Sequence, residues 1–506
     1  MTPQPSGLAP TAEEAEVAAW LTAQSQPPIE TACARVFLAG DAAWKVKRNA
    51  DLGYVDFTTL ERRKWALDRE LEFNRATAGD IYRRVRAITR EAGGGLAWDG
   101  SGAVVDYALE MRRFDEGAVL AANPDAVDGA LAERLGRMIA DVHAEAPLRP
   151  GGGWRALDWT IQSNAARLRE LAGQIDAGRV ETLVAATQAE FERQRPLLEA
   201  RTAEGFARRC HGDLHLGNIL LEDGTPVLFD ALEFSDLLSD LDVLFDLAFL
   251  LMDLDFRGRR DAGARVLSAY LDEAARCFPP SLWDGVAALP LMLSVRASVR
   301  AHVEAHAGDL VQAAAYVEAA IAHLSPSPAV LAAVGGFSGT GKSTFARAVA
   351  PGLGRSPGAV VLRTDEARKR LAGAGPVDHL PREVYTPQFY ARVYDMVFET
   401  ARALLKAGQS VVLDATFTEA PMRTRAEALA AETGVAFRGA WLEAPLAVLE
   451  ARVGGRVGDA SDATLEVLHG QVAEHGGERV DWRKVDATQP TGDAARAWLE
   501  LFGPAS

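Results

Sequence analysis

Residues 336–343 read Gly-Phe-Ser-Gly-Thr-Gly-Lys-Ser and satisfy every fixed position of G-x-x-x-x-G-K-[ST]. The apolar run 329–334 before them reads as a buried strand, and 344–349 continues as a helix. A loop between a strand and a helix N-terminus aims backbone N–H groups at an anion. Gly336, Gly339 and Gly341 carry no side chain that would keep phosphate oxygens away. Ser338, Thr340 and Thr344 complete the lining, Lys342 is expected to reach the β- and γ-phosphates, and the Ser343 hydroxyl to hold Mg²⁺. The ligand this spacing calls for is ATP with Mg²⁺, GTP being the alternative nucleotide.

A second constellation lies at His-Gly-Asp-Leu-His-Leu-Gly-Asn, residues 211–218. Asp213 and Asn218 have the spacing of the catalytic loop of kinases, in which Asp takes the acceptor hydroxyl proton and Asn holds a metal ion. The strand-like run 225–229 ends in Asp230, a second metal-type carboxylate. His215 stands where that loop of protein kinases has a Lys, so a γ-phosphate contact and a brace within the loop are both open. Upstream, Lys45 and Lys47 share one face of a strand. A solvated strand face is the plain reading of both.

On these pieces, together with Arg69-Glu70-Leu71-Glu72-Phe73-Asn74 and Leu232-Glu233-Phe234, residues 30–320 resemble the aminoglycoside phosphotransferase family. The resemblance implies a protein-kinase-like fold with ATP between a β-rich small lobe and a helical large lobe, one Lys on the phosphates and a Glu orienting it; Lys47 with Glu70 is the preferred pair for that role and Lys45 the alternative. The family's usual acidic C-terminus is replaced by continuing chain, so an aminoglycoside acceptor is not implied. Asp236, Asp240, Asp242 and Asp246 read either as a surface suited to a cationic substrate or as a helix surface.

The C-terminal part resembles small P-loop kinases of the 5′-hydroxyl polynucleotide kinase, zeta-toxin and gluconate-kinase groups. Beyond the phosphate loop the match rests on Arg363-Thr364-Asp365-Glu366-Ala367-Arg368 after a strand, and on the apolar strand 411–413 ending in Asp414. What this implies is Asp365 as the base on the acceptor hydroxyl, Arg368 as a clamp on an acidic acceptor group, and Asp414 as a metal-associated carboxylate. Asp365 also reads as a helix N-cap. Arg452 and Arg456 flank Val453-Gly454-Gly455, which could close as a lid carrying guanidinium groups to the transferring phosphate, with Arg423 and Arg425 as substitutes. His302 and His306 have i, i+4 spacing but no third ligand, and read as surface or packing residues.

The elements needed to carry these groups are legible as periodicity. A lead-in helix spans 12–23, hairpin strands flank Gly40-Asp41, a helix covers 59–78, and strands cover 81–89 and 103–111. Helices dominate from 125 to 206 and again to 323, and the glycine triplets 93–95 and 151–153 read as flexible turns. Ser-Pro-Ser-Pro at 325–328 cannot propagate a helix and marks a linker. Strands near 329–335, 358–363, 410–414 and 437–442 then alternate with helices, which predicts a parallel sheet covered on both faces. The expected organisation is an extension at 1–29, a bilobal protein-kinase-like α+β domain at 30–324, the linker, and a three-layer α/β/α P-loop domain at 329–506.

The net charge of −16 is unevenly distributed: residues 329–506 hold 20 Lys+Arg against 21 Asp+Glu, leaving 34 against 49 in residues 1–328. Acidic character disfavours nucleic acid and anionic membrane as partners and favours a small-molecule hydroxyl substrate. Cys33, Cys210 and Cys277 form no C-x-x-C pair and read as buried thiols. No signal segment and no apolar stretch near ~18 residues is apparent, which points to the cytoplasm. The expected function is a bifunctional kinase. The alternatives are a P-loop domain acting as an ATP-binding regulator of one kinase, and a nucleic-acid 5′-hydroxyl kinase in the C-terminal part.

Overall fold

The computed structural model describes residues 11–31, 33–51, 55–376, 378–381, 384–455 and 464–503. The first region is built on a six-stranded antiparallel sheet of order β1-β2-β3-β6-β4-β5. Its strands are β1 (Ile29–Glu30), β2 (Ala34–Ala39), β3 (Ala42–Lys47), β4 (Tyr82–Arg90), β5 (Leu96–Trp98) and β6 (Ala103–Arg112). Helix α1 (Ala12–Thr22) starts in a capping box, in which Thr11 and Glu14 each bond the other's backbone N–H. It lays Val17 and Leu21 on Phe37, Val46 and Ile88, so the described part of the N-terminal extension is packed onto the sheet. Helix α2 (Leu60–Ala78) covers the other face, where Leu67 meets Leu109. Strand alternation therefore sends Val46 toward α1 and its neighbours Lys45 and Lys47 toward α2.

The second region is helical: α3 (Gly129–Glu145), α4 (Trp154–Leu171), α5 (Ala177–Ala203), the single turn α6 (Asp236–Ser239), α7 (Val243–Phe256), α8 (Arg260–Ala274), α9 (Leu289–Ala307) and α10 (Leu310–Leu324). Two small antiparallel ladders interrupt it. In one, β7 (Ala207–Arg209) pairs with β10 (Asp240–Asp242); in the other, β8 (Ile219–Glu222) pairs with β9 (Thr225–Leu228). Together they bracket residues 211–218. The triplet 151–153 is not a loose turn, because a Cβ on Gly152 would stand 2.1 Å from the Asp240 carbonyl oxygen. Against the expectation from sequence, the helical stretch Pro280–Ala307 holds an 18-residue window of mean hydropathy 1.3; 78% of that window is buried, as in a core helix.

The C-terminal region has a five-stranded parallel sheet of order β12-β13-β11-β14-β15. In chain order its elements are β11 (Val330–Gly335), α11 (Lys342–Val349), β12 (Val360–Arg363), α12 (Thr364–Leu371), α13 (Pro387–Lys406), β13 (Val411–Asp414) and α14 (Ala420–Thr433). These are followed by β14 (Ala436–Glu443), α15 (Leu446–Gly454), α16 (Leu465–His475), β15 (Arg483–Asp486) and α17 (Thr491–Glu500). Both sheet faces are buried: Val330, Ala332 and Val334 pack with Phe345 and Trp498, while Leu331 and Ala333 pack with Phe398 and Phe417. Strand β15 lacks the apolar run of its neighbours, since only Val485 in it is buried, and the sequence pattern therefore does not reveal it.

Strand β12 is an edge, and an edge exposes unpaired backbone N–H groups. Here α8 of the second region covers it, and the Val361 N–H donates to Ser268 Oγ at 3.1 Å. Arg260 donates to the Gly354 carbonyl at 2.7 Å, Arg276 to that of Ala374 at 2.8 Å and Arg355 to that of Val286 at 2.9 Å. One apolar cluster runs through this joint, from α7 and α9 into β11 and β13. Among the cysteines only Cys210 is buried; Cys33 is half-buried and Cys277, near the end of a helix, is exposed, correcting the reading of all three as buried thiols.

Candidate active sites

The loop 211–218 is fixed from beneath by Asp246 at the start of α7. Its carboxylate accepts from the His211 N–H at 3.2 Å and the Gly212 N–H at 2.8 Å, and contacts His143 Nε2 at 3.1 Å. Gly212 has φ 84°, which lets both N–H groups converge on one carboxylate. Arg296 of α9 donates to the Gly212 carbonyl at 3.1 Å, and the Leu216 N–H donates to Asp253 at 3.0 Å. Because the Phe229 carbonyl can only accept, His211 Nε2 carries a proton and Nδ1 takes the Asp213 N–H, at 3.4 Å. Burial lowers the His211 pKa and keeps that imidazole neutral.

Asn218 Nδ2 donates to both the Asp213 backbone carbonyl, at 2.9 Å, and its carboxylate, at 3.0 Å. The amide oxygen is thus the atom available to a cation. His215 Nδ1 accepts the Gly217 N–H at 3.0 Å, and Nε2 lies 3.4 Å from the Asp213 carboxylate. Of the two roles open to His215, this geometry corresponds to the brace within the loop. Burial alone would raise the Asp213 pKa, yet His215 beside it, with Arg296 adding to the effect, holds it well below the usual carboxylate range. The group is an ionised acceptor for a proton.

Asp230 follows β9 with φ 60°, a left-handed conformation held by two bonds: its N–H donates to Tyr82 Oη at 3.0 Å, and the next N–H donates to Asn74 Oδ1 at 2.9 Å. Lys45 Nζ donates to Asp230 at 2.8 Å and to Glu70 at 2.7 Å. Lys47 Nζ donates to the other Glu70 oxygen at 2.7 Å and to Glu233 at 2.6 Å. Glu70 is therefore shared by both lysines. The Lys47 side chain is 2% exposed and sealed beneath Glu70, whereas Lys45, at 15%, borders the cleft beside Asp230. Lys47, the expected phosphate grip, is thus bonded to Glu70 and Glu233, and the alternative, Lys45, is the lysine beside Asp230.

The acidic residues after Asp230 are paired within the chain, and Asp236, at 60%, is the one of Asp236, Asp240, Asp242 and Asp246 open to solvent. Asp236 pairs with Arg69 and Arg209, Asp240 with Arg209 and Arg149, and Asp242 bidentately with the buried Arg201 at 2.8 and 2.9 Å. From sequence, Glu233 and Asp246 are visible but carry no bracing part, and Asp253 and Arg296 are not singled out at all. Their signal is burial of charge, which a linear pattern does not display. His302 bonds Asn164 at 3.2 Å and His306 bonds the His302 carbonyl at 2.7 Å, in keeping with packing roles.

In the C-terminal region the phosphate loop leaves the central strand β11. A Cβ on Gly336 would stand 2.7 Å from the Leu442 carbonyl oxygen, and one on Gly339 2.8 Å from that of Leu449, so both positions admit only glycine. Gly341 caps α11 at φ 84°. Lys342 Nζ donates to the Phe337 carbonyl at 3.0 Å, across the loop, and Thr340 Oγ1 donates to the same carbonyl at 2.8 Å. The Ser338 N–H donates to Gln471 at 3.0 Å, while Thr344 is exposed. A glycine cradle at a helix N-terminus, with a lysine folded over it, fits a nucleotide triphosphate.

Asp414 ends β13 beside β11, is buried, and accepts from Arg363 Nε at 3.2 Å; Arg363 Nη2 donates to Ser343 Oγ at 3.1 Å. Ser343 and Asp414 thus converge on one place, which suits a divalent cation by donor chemistry. Burial raises the Asp365 pKa and Asp414 adds to it, against Arg363, Arg368 and Lys342. Arg368 is buried, its guanidinium 5.1 Å from the Tyr385 ring centre. Arg452 donates to the Ala487 carbonyl at 2.9 Å, Arg423 to the carbonyls of Phe417 and Thr418 at 2.8 and 2.6 Å, and Arg425 pairs with Asp395 at 2.7 Å. Arg456 lies outside the described residues. The residue missed here is Arg363, which the strand-end motif includes but to which spacing assigns no part.

Two family models match the chain. Residues 66–289 match the phosphotransferase enzyme family, and residues 331–476 match an AAA domain model. Fold and sites together define an ATP-dependent kinase with two kinase-type domains, a phosphotransferase domain and a P-loop kinase domain. An uncharacterized protein of Mycobacterium tuberculosis is 34% identical over 497 residues, covering 93% of this chain and 94% of its own length, and one of Mycobacterium bovis matches equally. This chain belongs to the family of those mycobacterial proteins. The adenylyl-sulfate kinase of Myxococcus xanthus is 31% identical over 157 residues, 31% of this chain and 77% of that protein. Among solved structures, the APS kinase of Mycobacterium tuberculosis aligns with 35% of this chain and 99% of its own at 19% identity and a TM-score of 0.26. Plasmodium vivax ethanolamine kinase aligns with 59% and 80% at 11% identity and a TM-score of 0.36.

Proposed function

We propose that the chain is a bifunctional phosphotransferase with two separate ATP·Mg²⁺ sites, each phosphorylating a hydroxyl group of a small molecule. The observation that supports this reading is that in each region the carboxylate taken as the acceptor-side base, Asp213 or Asp365, has a lysine and a second carboxylate nearby. Those companions are Lys45 and Asp230 in one, Lys342 and Asp414 in the other.

In the first site Lys45, oriented by Glu70, binds phosphate oxygens, and ionised Asp213 takes the proton of the acceptor hydroxyl. Asn218 and Asp230 would hold Mg²⁺ there. In the second, the loop N–H groups and Lys342 bind the phosphates, Asp365 takes the acceptor proton, Arg368 grips an anionic part of the acceptor, and Ser343 and Asp414 would hold Mg²⁺. When bound, the ion neutralises charge that develops on the transferring group.

ATP consumption tests this, with acceptors drawn from sugars, amino alcohols, nucleosides, adenylyl sulfate and oligonucleotide 5′ ends. Asp213→Ala and Asp365→Ala should each abolish turnover of a different acceptor. Turnover of every acceptor by Asp365→Ala at the wild-type rate would defeat the two-enzyme reading. The regulatory alternative, in which the P-loop domain only binds ATP, predicts that result.

A further inference from the structure

The guanidinium of Arg363 touches both groups that converge at the P-loop cation position: Ser343 Oγ at 3.1 Å and Asp414 at 3.2 Å. Its third contact is Glu366, one helical turn along, at 3.1 Å. Glu366 does not belong to the P-loop region alone, because its carboxylate also accepts from Arg137 of α3 at 3.3 Å. Arg137 is held in turn by Asp272 at 3.3 Å and Glu273 at 3.1 Å of α8, the helix that covers the β12 edge, and Asp272 also pairs with Arg370 of α12. The series is largely shielded from water: the side chains of Arg363, Glu366 and Arg137 are 5%, 12% and 20% exposed. Burial works against the charge on Glu366, yet Arg363, Arg137 and Arg347 keep its pKa lowered.

A cation at Ser343 and Asp414 and the Arg363 guanidinium compete for the same two oxygens. The pull of Glu366 on Arg363 against that of Asp414 therefore bears on how readily Mg²⁺ enters. Arg137 draws Glu366 away from Arg363 by sharing its charge, at an interface where water does little to screen it.

We propose that the phosphotransferase domain tunes the P-loop site through Arg137: by drawing on Glu366 it leaves Arg363 on Ser343 and Asp414, and so raises the Mg²⁺ concentration at which nucleotide binds. Arg137, Glu366 and Arg363 are positioning residues, and the inference rests on the reading of Ser343 and Asp414 as the metal position. The consequence is coupling from the first kinase domain to the second, without contact between the two nucleotides.

The test uses the full chain carrying Lys45→Ala, which removes nucleotide binding at the first site, and follows calorimetric binding of a non-hydrolysable ATP analogue during a Mg²⁺ titration. Arg137→Ala should lower the Mg²⁺ needed for half-maximal binding several-fold, because Glu366 then pulls Arg363 aside. Glu366→Gln should raise it several-fold, because the charge that draws Arg363 away from Ser343 and Asp414 is then removed. Arg137→Lys should fall near wild type, and the Arg137→Ala, Glu366→Gln double variant should behave as Glu366→Gln alone. Damage to the joint would shift both single variants in the same direction, so that outcome, or no shift in either, overturns the proposal. If the chain carrying only Lys45→Ala binds no nucleotide with Mg²⁺, the functional reading of the P-loop site fails instead.

Discussion

At the residue scale, the lysine pair on β3 shows how far spacing can be read. Period-two alternation places Lys45 and Lys47 on one face and a neighbouring helix offers Glu70, all of which the sequence displays. Which lysine meets phosphate depends on how deep each lies under α2, and that is set by Asp230 and Glu233, some 185 residues away. The two lysines should separate in experiment. Lys45→Ala should reduce turnover at the first site by about 10²-fold or more with little change in melting temperature, because charge stabilisation of the phosphates is lost. Lys47→Ala strands Glu233 as a buried carboxylate and leaves Glu70 with Lys45 alone, and should cost about 3–5 kcal/mol of stability, measured by denaturant unfolding. Equal destabilisation by both would show that neither is set apart for the nucleotide.

At the scale of elements, the strand ends and the two loops were legible because glycine, lysine and acidic residues punctuate apolar runs. Polar elements were not: β15 has one buried residue, and α16 and α17 were absent from the expected pattern. Edge protection is also invisible to local pattern, since Ser268 meets Val361 only in the folded chain. Ser268→Ala should cost about 1–3 kcal/mol by leaving a buried N–H without a partner, whereas Ser268→Thr should keep the bond and most of the stability. Helix α9 offers a pH test through His302. Burial, with Arg167 nearby, lowers its folded pKa to about 3 from the ordinary 6.5. The unfolded chain takes the proton first, so this group's contribution falls as pH drops through 6.5 and goes on falling to about 3. Between pH 7 and 5, His302→Gln should gain about 2 kcal/mol on the wild type in unfolding free energy, and parallel curves would contradict a buried neutral imidazole.

For the whole molecule, the Ser-Pro-Ser-Pro segment suggests two regions hung on a short tether, yet α8 covers β12, an apolar cluster crosses the joint, and buried ions link α3 to α12. Long-range burial of this kind carries no periodic signal, which is why two motif sets were readable and their attachment was not. The central claim is that each region independently takes up nucleotide with magnesium. Calorimetric titration of the full chain with a non-hydrolysable ATP analogue and excess Mg²⁺ tests it most directly. The account predicts two nucleotides per chain, falling to one in Lys45→Ala, to one in Lys342→Ala and to none when the two are combined. A stoichiometry of one that only a single variant abolishes, or no binding at all, would contradict it.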